Sequence, residues 1–330
     1  MHLIAFVWHT GRVAVSRDAC TFVNLLLIAN PRGLAATPLW AEARERLAAL
    51  GALRIEETRG DGGDATRLPA VMAAAPVDVV IAAGGDGTIR EVATGLMQLP
   101  PAQRPPLALL PLGTANNVAR SLGMLALRQR GRAAIERSVA AIASGRTPPL
   151  DLGRVDGVWF VGSFAIGMDA AILAARNRWR RRWRLGARAG GYPLYLASCA
   201  ANLATHRPVT ARLRHAGALR DLPVHNLLVT NTALYAGEFR FDAADHSGDG
   251  LLDLHVFCSA PSYVRRFVAA WRRHVQFERG RAVDQPPLER FDRLVIELET
   301  PLPSQLDGEE GPVANRFEIS VEPAALRVCV

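Results

Sequence analysis

The sequence predicts two domains, an α/β domain with a parallel sheet followed by a β-rich domain. Its 330 residues match about two domains at roughly 150 residues each. Through about Leu150, continuous apolar runs alternate with amphipathic helical patterns, which is typical of strands buried on both faces of a parallel sheet. Beyond the pair Pro148-Pro149, short strand patterns separated by turns predominate, so the domain boundary is predicted there.

The first domain begins with an apolar strand pattern from Phe22 to Ala29, which ends in the turn Asn30-Pro31-Arg32-Gly33. A helical pattern follows over 39–50. Two further apolar runs, 77–83 and 107–110, each end in a glycine-containing turn before another helical pattern. Strands alternating with helices in this way indicate parallel βαβ units.

The second domain is predicted to be mainly strands, with helices in two places. The strand patterns lie at 155–164, 210–213, 225–231, 251–257, 294–298 and 317–321. The helical patterns lie at about 169–204 and 261–280.

Composition excludes several classes of protein. All 39 basic residues are arginine and the net charge is +8, so a P-loop lysine, a protein-kinase strand lysine and a Schiff base are ruled out. No apolar run reaches the roughly 18 residues of a membrane span. The four cysteines stand far apart, so we expect reduced thiols in a cytosolic protein. Residues 1–21 lack the order of a signal peptide and are expected to be an N-terminal extension.

Two glycine turns carry the strongest chemical signal. Gly84-Gly85-Asp86-Gly87-Thr88 lies between a predicted strand and a predicted helix, where successive N–H groups favour an anion. It matches neither a dinucleotide fingerprint nor a P-loop. The alternative is a tight strand–helix turn with only a structural role, but Asp86 favours a phosphate site that includes a divalent cation. The turn Leu112 to Asn117 repeats the geometry after the next strand; helix capping alone is its alternative, but two such turns on adjacent strands favour a nucleotide site.

Two acidic turns in the second domain are weaker signals. In Asp307-Gly308-Glu309-Glu310-Gly311, one carboxylate could act as a base for a hydroxyl and another could orient it, although Asp-Gly is also a common hairpin turn. His246-Ser247-Gly248-Asp249-Gly250 is either a bare turn or a cation-binding loop.

Together these residues resemble the diacylglycerol kinase catalytic-domain family, particularly its bacterial lipid kinases. The turn Gly84 to Thr88 alone is shared with NAD kinases and phosphofructokinases. Its combination with Pro111 to Asn116 and with the late Asp307-Gly308-Glu309 is specific to the lipid kinases. The resemblance runs from Leu25 to the end of the chain. The matching positions also include Asn30-Pro31, Glu91, Ala119-Arg120, Gly167, Asp169-Ala170, Asn231, Gly237, Asp249 to Asp253 and Pro323 to Leu326.

The resemblance implies a fold with an NAD-kinase-like α/β domain and a C-terminal β-sandwich. The implied division is 1–21 as an extension, 22–148 as the nucleotide-binding domain and 149–315 as the lipid-substrate domain. Residues 316–330 would return to the first domain.

The resemblance also implies an ATP-dependent lipid kinase that uses Mg²⁺. Glu309 would take the proton from the lipid hydroxyl, with support from Asp307. A magnesium site would be formed by the carbonyls of His246 and Leu251 and by the carboxylate of Asp249. The implied nucleotide contacts are Asn30, Thr58, Gly84, Gly85, Asp86, Gly87, Thr88, Glu91, Gly113, Thr114 and Asn116.

The sequence departs from the family pattern at four places. Arg32-Gly33-Leu34 alters the first turn, Arg90 adds a positive charge where the family usually has Asn, and Asn117 replaces a common Asp. The Phe-x-Asn element reads Phe160-Val161-Gly162, so one hydrogen bond between loops is expected to be missing. None of these changes removes the base implied by the resemblance, so we expect an active enzyme.

Three alternative functions remain open. An NAD kinase or sugar-phosphate kinase is the nearest, and a nucleotide-sensing or membrane-docking module without turnover is the second. Nucleic-acid binding is suggested only by the pI of about 10.2, and with no recognisable module for it, no nucleic-acid partner is expected.

The segment 176–188 predicts contact with a membrane. It holds seven arginines and two tryptophans, Trp179 and Trp183, at helical spacing, a composition that suits anionic headgroups. The alternative is a solvated basic helix whose tryptophans pack on the second domain. We expect a cytoplasmic protein, peripheral at the inner membrane leaflet, with a membrane lipid as substrate.

Overall fold

The first domain is a parallel sheet flanked by helices, as predicted. The computed structural model describes residues 23–31, 38–60, 63–113, 115–125, 131–183, 192–243, 246–284 and 289–330. Its first-domain elements are β1 (Val23–Ala29), α1 (Pro38–Ala48), β2 (Gly51–Glu57), α2 (Asp64–Ala73), β3 (Val79–Gly84), α3 (Asp86–Met97), β4 (Leu107–Pro111), α4 (Asn117–Ser121) and α5 (Arg132–Ser144), with a 3₁₀ turn at Pro101–Gln103.

The order of the first sheet is β2-β1-β3-β4, and all its pairings are parallel. β3 and β4 are buried along their whole length, which explains their continuous apolar sequence. Because the strands are parallel, their four carboxyl ends lie at one edge of the sheet. This edge carries the turns that the sequence analysis selected.

The second domain is a large antiparallel sheet system with helices against it, which confirms the predicted β-rich architecture. Its main path is β14-β13-β10-β7-β15-β16-β5-β6, and β8 joins β15 to β9. The elements are β5 (Pro149–Val155), β6 (Val158–Phe160), β7 (Ser163–Gly167), α6 (Met168–Arg182), α7 (Tyr192–Thr205), β8 (Val209–His215), β9 (Ala218–Val224), β10 (Asn226–Thr230), β11 (Leu234–Tyr235), β12 (Phe239–Arg240), β13 (Leu252–Phe257), α8 (Ala260–Glu278), β14 (Glu289–Phe291), β15 (Arg293–Leu306) and β16 (Glu309–Arg327).

The long strand β16 links the two domains. Its residues 309–320 pair with β15 and its residues 319–327 pair with β5. Beyond it, Val328 forms a parallel bridge with Leu107 of β4, and the amide of Cys329 donates to the carbonyl of Leu107 at 2.9 Å. Leu326, Val328 and Cys329 belong to the hydrophobic core of the first domain, so the last residues extend the parallel sheet.

The short helix α4 holds the domains together on the side of the cleft. The Asn117 side-chain oxygen accepts from the amide of Gly237 at 2.6 Å, and the Arg120 guanidinium donates to the carbonyl of Gly237 at 3.0 Å. The amide of Leu234 donates to the Ser121 hydroxyl at 3.0 Å. The turn between β11 and β12 is therefore fixed against the first domain.

Some elements differ from the sequence predictions. The strand predicted over 155–164 is interrupted: Asp156 and Gly157, both with positive φ, form the hairpin turn between β5 and β6, as Asp-Gly often does. β2 and β9 were not predicted. β9 is exposed along most of its length and β2 is mostly half-buried, so neither has a continuous apolar run. No helix in the described residues is long and apolar enough to cross a membrane.

Candidate active site

Two glycine turns meet at the carboxyl edge of the first sheet. The amide of Leu112 donates to the carbonyl of Gly84 at 2.9 Å. A Cβ on Gly113 would lie 2.5 Å from the Cα of Gly85, and a Cβ on Gly84 would lie 2.4 Å from the Thr88 hydroxyl oxygen. Glycine at 113 therefore lets the two turns approach each other, and glycine at 84 leaves room for the Thr88 side chain.

Asp86 couples the two turns. Its carboxylate accepts from the backbone and side-chain N–H groups of Asn117, both at 3.1 Å, and from the amide of Val118 at 3.3 Å. Burial raises the pKa of Asp86, while the bonds from Asn117 and Val118 oppose that rise. The acid therefore caps α4, a structural role that the sequence analysis did not foresee.

The other predicted nucleotide residues lie along the same edge. The amide of Asn30 donates to the carbonyl of Ala83 at 3.0 Å, and that of Thr58 donates to the carbonyl of Ala29 at 2.8 Å. Asn116 is buried in a left-handed conformation, and its side-chain amide donates to the carbonyl of Gly113 at 3.0 Å. Gly87, Thr88 and Glu91 lie in the first two turns of α3; Thr114 lies outside the described residues.

Glu309 reaches this edge from the second domain. It follows the turn Asp307-Gly308 between β15 and β16, and its carboxylate forms an ion pair with Arg90 on α3. A Cβ on Gly87 would lie 2.8 Å from the Glu309 carboxylate. The proposed base thus lies directly over the first glycine turn. The added charge of Arg90 is evident from the sequence, but its partner Glu309 is not.

Asp307 positions the hairpin that carries Glu309. Its carboxylate accepts from the amides of Val161, Gly162 and Ser163 at 2.8, 2.8 and 2.9 Å. Burial raises the pKa of Asp307 to about 6, although those amides counteract the shift. Every Asp307 contact of this kind is with the loop before β7, so we interpret it as a positioning residue.

The loop that holds Asp307 is braced by Asn231. The side-chain amide of Asn231 donates to the carbonyls of Asp151 at 2.7 Å and Val161 at 2.8 Å. A Cβ on Gly162 would lie 3.3 Å from the Asp307 carboxylate. A small residue at 162 therefore lets the amide approach Asp307 closely, in place of the side chain that the family pattern has there.

A cavity of about 80 Å³ opens between the domains beside these residues. Its wall combines polar and apolar groups from both domains. The lining residues include Asp86, Asn117, Tyr235, Gln305 and Asp307. The cleft therefore has a polar floor where the two domains meet.

Behind the cleft lies a buried carboxylate, Asp169. It accepts from the Tyr263 hydroxyl and from the side-chain amide of Asn226 at 2.9 Å, while its own amide donates to the Asn226 oxygen at 2.9 Å. Burial raises the pKa of Asp169 to about 6.

This raised pKa predicts a specific pH dependence of stability. Between about pH 4 and pH 6 the folded protein binds a proton at Asp169 that the unfolded chain releases, so stability rises as the pH falls through this range. The free energy of unfolding gains about 3 kcal/mol from Asp169 over this fall in pH. Asp169→Asn should make that part of the curve less steep in thermal unfolding from pH 4 to pH 8, while Asp307, whose pKa is also raised to about 6, still contributes. Parallel wild-type and variant curves would contradict the assignment.

The predicted magnesium ligands lie in one turn, but Arg290 binds the carboxylate of Asp249, the only carboxylate among them. The two Asp249 oxygens accept from the amide of Leu251 at 3.0 Å and from Arg290 at 3.1 Å. Arg290 also donates to Asp253 at 3.1 Å and lies 3.6 Å from Asp242. The carbonyl of His246 accepts from the amide of Asp249 at 3.1 Å. In this arrangement the residues do not fit a divalent ion, because the Arg290 guanidinium and the Leu251 amide already occupy the two Asp249 oxygens.

Arg290→Gln should therefore destabilise the protein. Removing the cation that three carboxylates share should lower the free energy of unfolding by about 2 kcal/mol. The loss is not larger because the site is only partly buried. We expect the melting temperature of the variant to recover with millimolar Mg²⁺ or Ca²⁺, and that of the wild type to be unchanged by a chelator. Arg293→Gln, which alters an exposed pair with Glu318, is the matched control. A chelator-sensitive wild type would show that an ion binds here despite Arg290.

Both domains match known sequence families. Residues 24–155 match the diacylglycerol kinase catalytic domain. Residues 162–330 match the YegS C-terminal NAD kinase beta sandwich-like domain.

Curated relatives and solved structures agree with these matches. A protein named lipid kinase YegS-like from Chromohalobacter salexigens is 32% identical over 81% of this chain and 80% of its own. A diacylglycerol kinase from Bacillus subtilis is 29% identical over 76% of this chain and 77% of its own. The crystal structure of a diacylglycerol kinase from Bacillus anthracis str. Sterne shares the fold, with a TM-score of 0.66 at 19% identity over 94% of this chain and 97% of that one.

The two domain matches and the curated relatives place this two-domain chain in the lipid kinase class. The chain belongs to the diacylglycerol kinase catalytic-domain family, with a second domain of the YegS type.

Proposed function

We propose that this protein transfers the γ-phosphate of ATP to a hydroxyl of a membrane lipid, such as diacylglycerol or a sphingoid or ceramide-like lipid. The observation that supports this most directly is the position of Glu309. The second domain presents this carboxylate, next to Arg90, over the glycine turn at the start of α3. A base thus lies beside a turn suited to phosphates, as transfer to a hydroxyl requires.

The donor is ATP in its magnesium complex, which we treat as substrate. The first amides of α3 have no partner within the helix, and together with the helix dipole they favour a phosphate at Gly85 and Asp86. Arg90 is the cation nearest the proposed base, and a guanidinium pairs well with phosphate oxygens. In a chain without lysine, backbone amides and arginine provide the protein's positive potential at this site.

The acceptor hydroxyl is activated by Glu309, which takes its proton as the hydroxyl oxygen bonds to the γ-phosphorus. The bond from that phosphorus to the β,γ-bridging oxygen breaks, and ADP leaves. Asp307 does not contact the lipid in this scheme. Its three backbone hydrogen bonds fix the turn from which Glu309 projects. Positioning of this kind is the main contribution a protein makes to phosphoryl transfer.

Incubation of the pure protein with labelled ATP, Mg²⁺ and a total lipid extract tests this function. We expect a labelled phospholipid whose headgroup identifies the acceptor. Parallel reactions with NAD and with sugar phosphates test the rival kinase activities. ATP binding without any labelled product would favour a nucleotide-sensing module.

We also propose that segment 176–188 contacts the cytoplasmic leaflet beside the cleft. Residues 184–188 lie outside the described residues, but α6 ends within the segment. The side-chain amide of Asn177 donates to Glu310 at 2.8 Å, and Arg181 lies 3.4 Å from the same carboxylate. The arginine-rich end of α6 is thus adjacent to the hairpin that carries Glu309, where a lipid headgroup must enter.

Replacing Arg180, Arg181 and Arg182 with Ser should weaken binding to anionic vesicles. Each arginine near such a surface contributes about 1 kcal/mol, so the loss should be at least tenfold at low salt and smaller at high salt. Vesicle sedimentation measures both quantities. Unchanged binding by the triple variant would leave α6 as a solvated basic helix.

A further inference from the structure

Three helices cover one face of the large sheet. Ala165, Leu228 and Phe257 project from β7, β10 and β13 into a buried cluster. Met168 and Ile172 of α6, and Tyr263, Phe267 and Ala270 of α8, belong to that cluster, and Tyr195 and Cys199 of α7 pack against it. The outer side of this helical layer is a surface that the core does not use.

The helix α8 has a second apolar stripe on that outer side. Its core-facing positions are Tyr263, Phe267, Ala270 and His274. One residue further along, the same spacing places Val264, Val268, Trp271 and Val275 on a neighbouring face. The first three are 44%, 41% and 47% exposed, and Val275 is half-buried. A surface helix needs only one apolar stripe for its core, so the second, which we call the α8 stripe, indicates a partner.

The two other helices that share the buried cluster also carry exposed apolar residues. On α7, Leu196 is 50% and Leu203 is 37% exposed, and the two lie seven residues apart on one face. At the end of α6, Trp183 is more than half exposed. Exposed tryptophan and leucine gathered on one layer of helices are typical of a binding surface rather than of scattered surface residues.

The charge of the layer identifies the kind of partner. α6 and α8 together contain nine arginines and only two acidic residues, Asp169 and Glu278, and Asp169 is engaged in the internal network already described. Arg265 and Arg272 are exposed beside the α8 stripe. A second copy of the chain would place cation against cation, which opposes association. An anionic bilayer satisfies both the apolar stripe and the arginines.

We infer that the α8 stripe inserts into the interface of an anionic membrane, as a second contact beside the arginine-rich end of α6. This inference rests on the proposed lipid kinase function and adds the surface by which the enzyme reaches its substrate. α8 lies directly behind the cleft: the ring of Phe267 is 6.1 Å from that of Tyr235, which lines the cavity. The Arg240 guanidinium packs 3.6 Å from the ring of Phe277. Docking through α8 therefore holds the cavity near the bilayer surface.

The test compares two sets of serine variants in sedimentation with vesicles of phosphatidylcholine and phosphatidylglycerol. Val264→Ser, Val268→Ser and Trp271→Ser together should reduce binding at least tenfold, and high salt should not restore it, because apolar insertion is lost. Val158→Ser with Leu219→Ser is the matched control. These residues are equally exposed, at 51% and 54%, but lie on β6 and β9, and binding should not change. Equal melting temperatures confirm that each variant is folded.

Two outcomes overturn the inference. One is unchanged vesicle binding by the α8 variant. The other is a wild type that is dimeric in sedimentation velocity and an α8 variant that is monomeric, which would assign the stripe to contact with a second copy. Activity on a short-chain, water-soluble form of the acceptor lipid that the labelling experiment identifies, or on such forms of each candidate lipid if it identifies none, separates this inference from the proposed function. If docking alone fails, that activity remains in the wild type and the α8 variant; if the kinase function fails, it is absent from the wild type while vesicle binding persists.

Discussion

Glu309→Gln should reduce lipid phosphorylation by about 10²-fold or more while ATP binding stays nearly intact. Glutamine keeps the size of the side chain but cannot take the hydroxyl proton, and loss of a general base costs on this scale. ATP affinity should hold because the change also releases Arg90 from its carboxylate partner, leaving that cation available to phosphate. Steady-state kinetics with the identified lipid, together with calorimetric titration of ATP, measure the two effects separately.

The neighbouring acid supplies a control for this experiment. Glu310 stands next in the chain but contacts Asn177 and Arg181 on α6 rather than Arg90. Glu310→Gln should therefore change turnover by no more than about twofold on soluble substrate, since an exposed pair contributes little. Wild-type turnover in Glu309→Gln would remove this residue from the mechanism.

The architecture was predictable because its strongest signals are local. β3 and β4 are short apolar runs followed by glycine turns, and burial on both faces gives such strands an unmistakable composition. The edge strands β2 and β9 were not predicted because charged residues interrupt their apolar sequences, which read GALRIEE and ALRDLPV. The hairpin at Asp156 and Gly157 was missed because one apolar run continues across it, although the Asp-Gly pair was a usable signal.

The residues of the site were predictable only where residues of suitable chemical type lie within a short sequence motif. The glycine turns and the Asp307-Gly308-Glu309 hairpin could be selected from the sequence, and the structure brings them to one cleft. The pairing of Arg90 with Glu309 joins residues 219 positions apart, and that of Arg290 with Asp249 joins residues 41 apart. Such contacts depend on how the domains and strands pack, so a single sequence contains no local signal for them.

Gly85→Val should abolish measurable ATP binding without unfolding the protein. Gly85 precedes α3 with φ −93° and ψ −173°, an extended conformation that any residue adopts. The nearest atom to a Cβ placed there is the Cα of Gly113, at 3.4 Å, which is an ordinary contact distance. A Cβ is therefore compatible with the fold, and we expect the valine methyl groups to occupy the space through which a phosphate approaches the amides at the start of α3.

Two further substitutions make this result decisive. Gly85→Ala adds one methyl group and should weaken ATP binding about tenfold with an unchanged melting temperature. Gly113→Ala should instead lower the melting temperature, because its Cβ would lie 2.5 Å from the Cα of Gly85 and the backbone must move to relieve the overlap. Calorimetry with ATP and thermal unfolding of all three variants distinguish a lost ligand contact from a damaged turn. Full ATP affinity in a folded Gly85→Val would mean that the glycine turn serves only to connect β3 to α3.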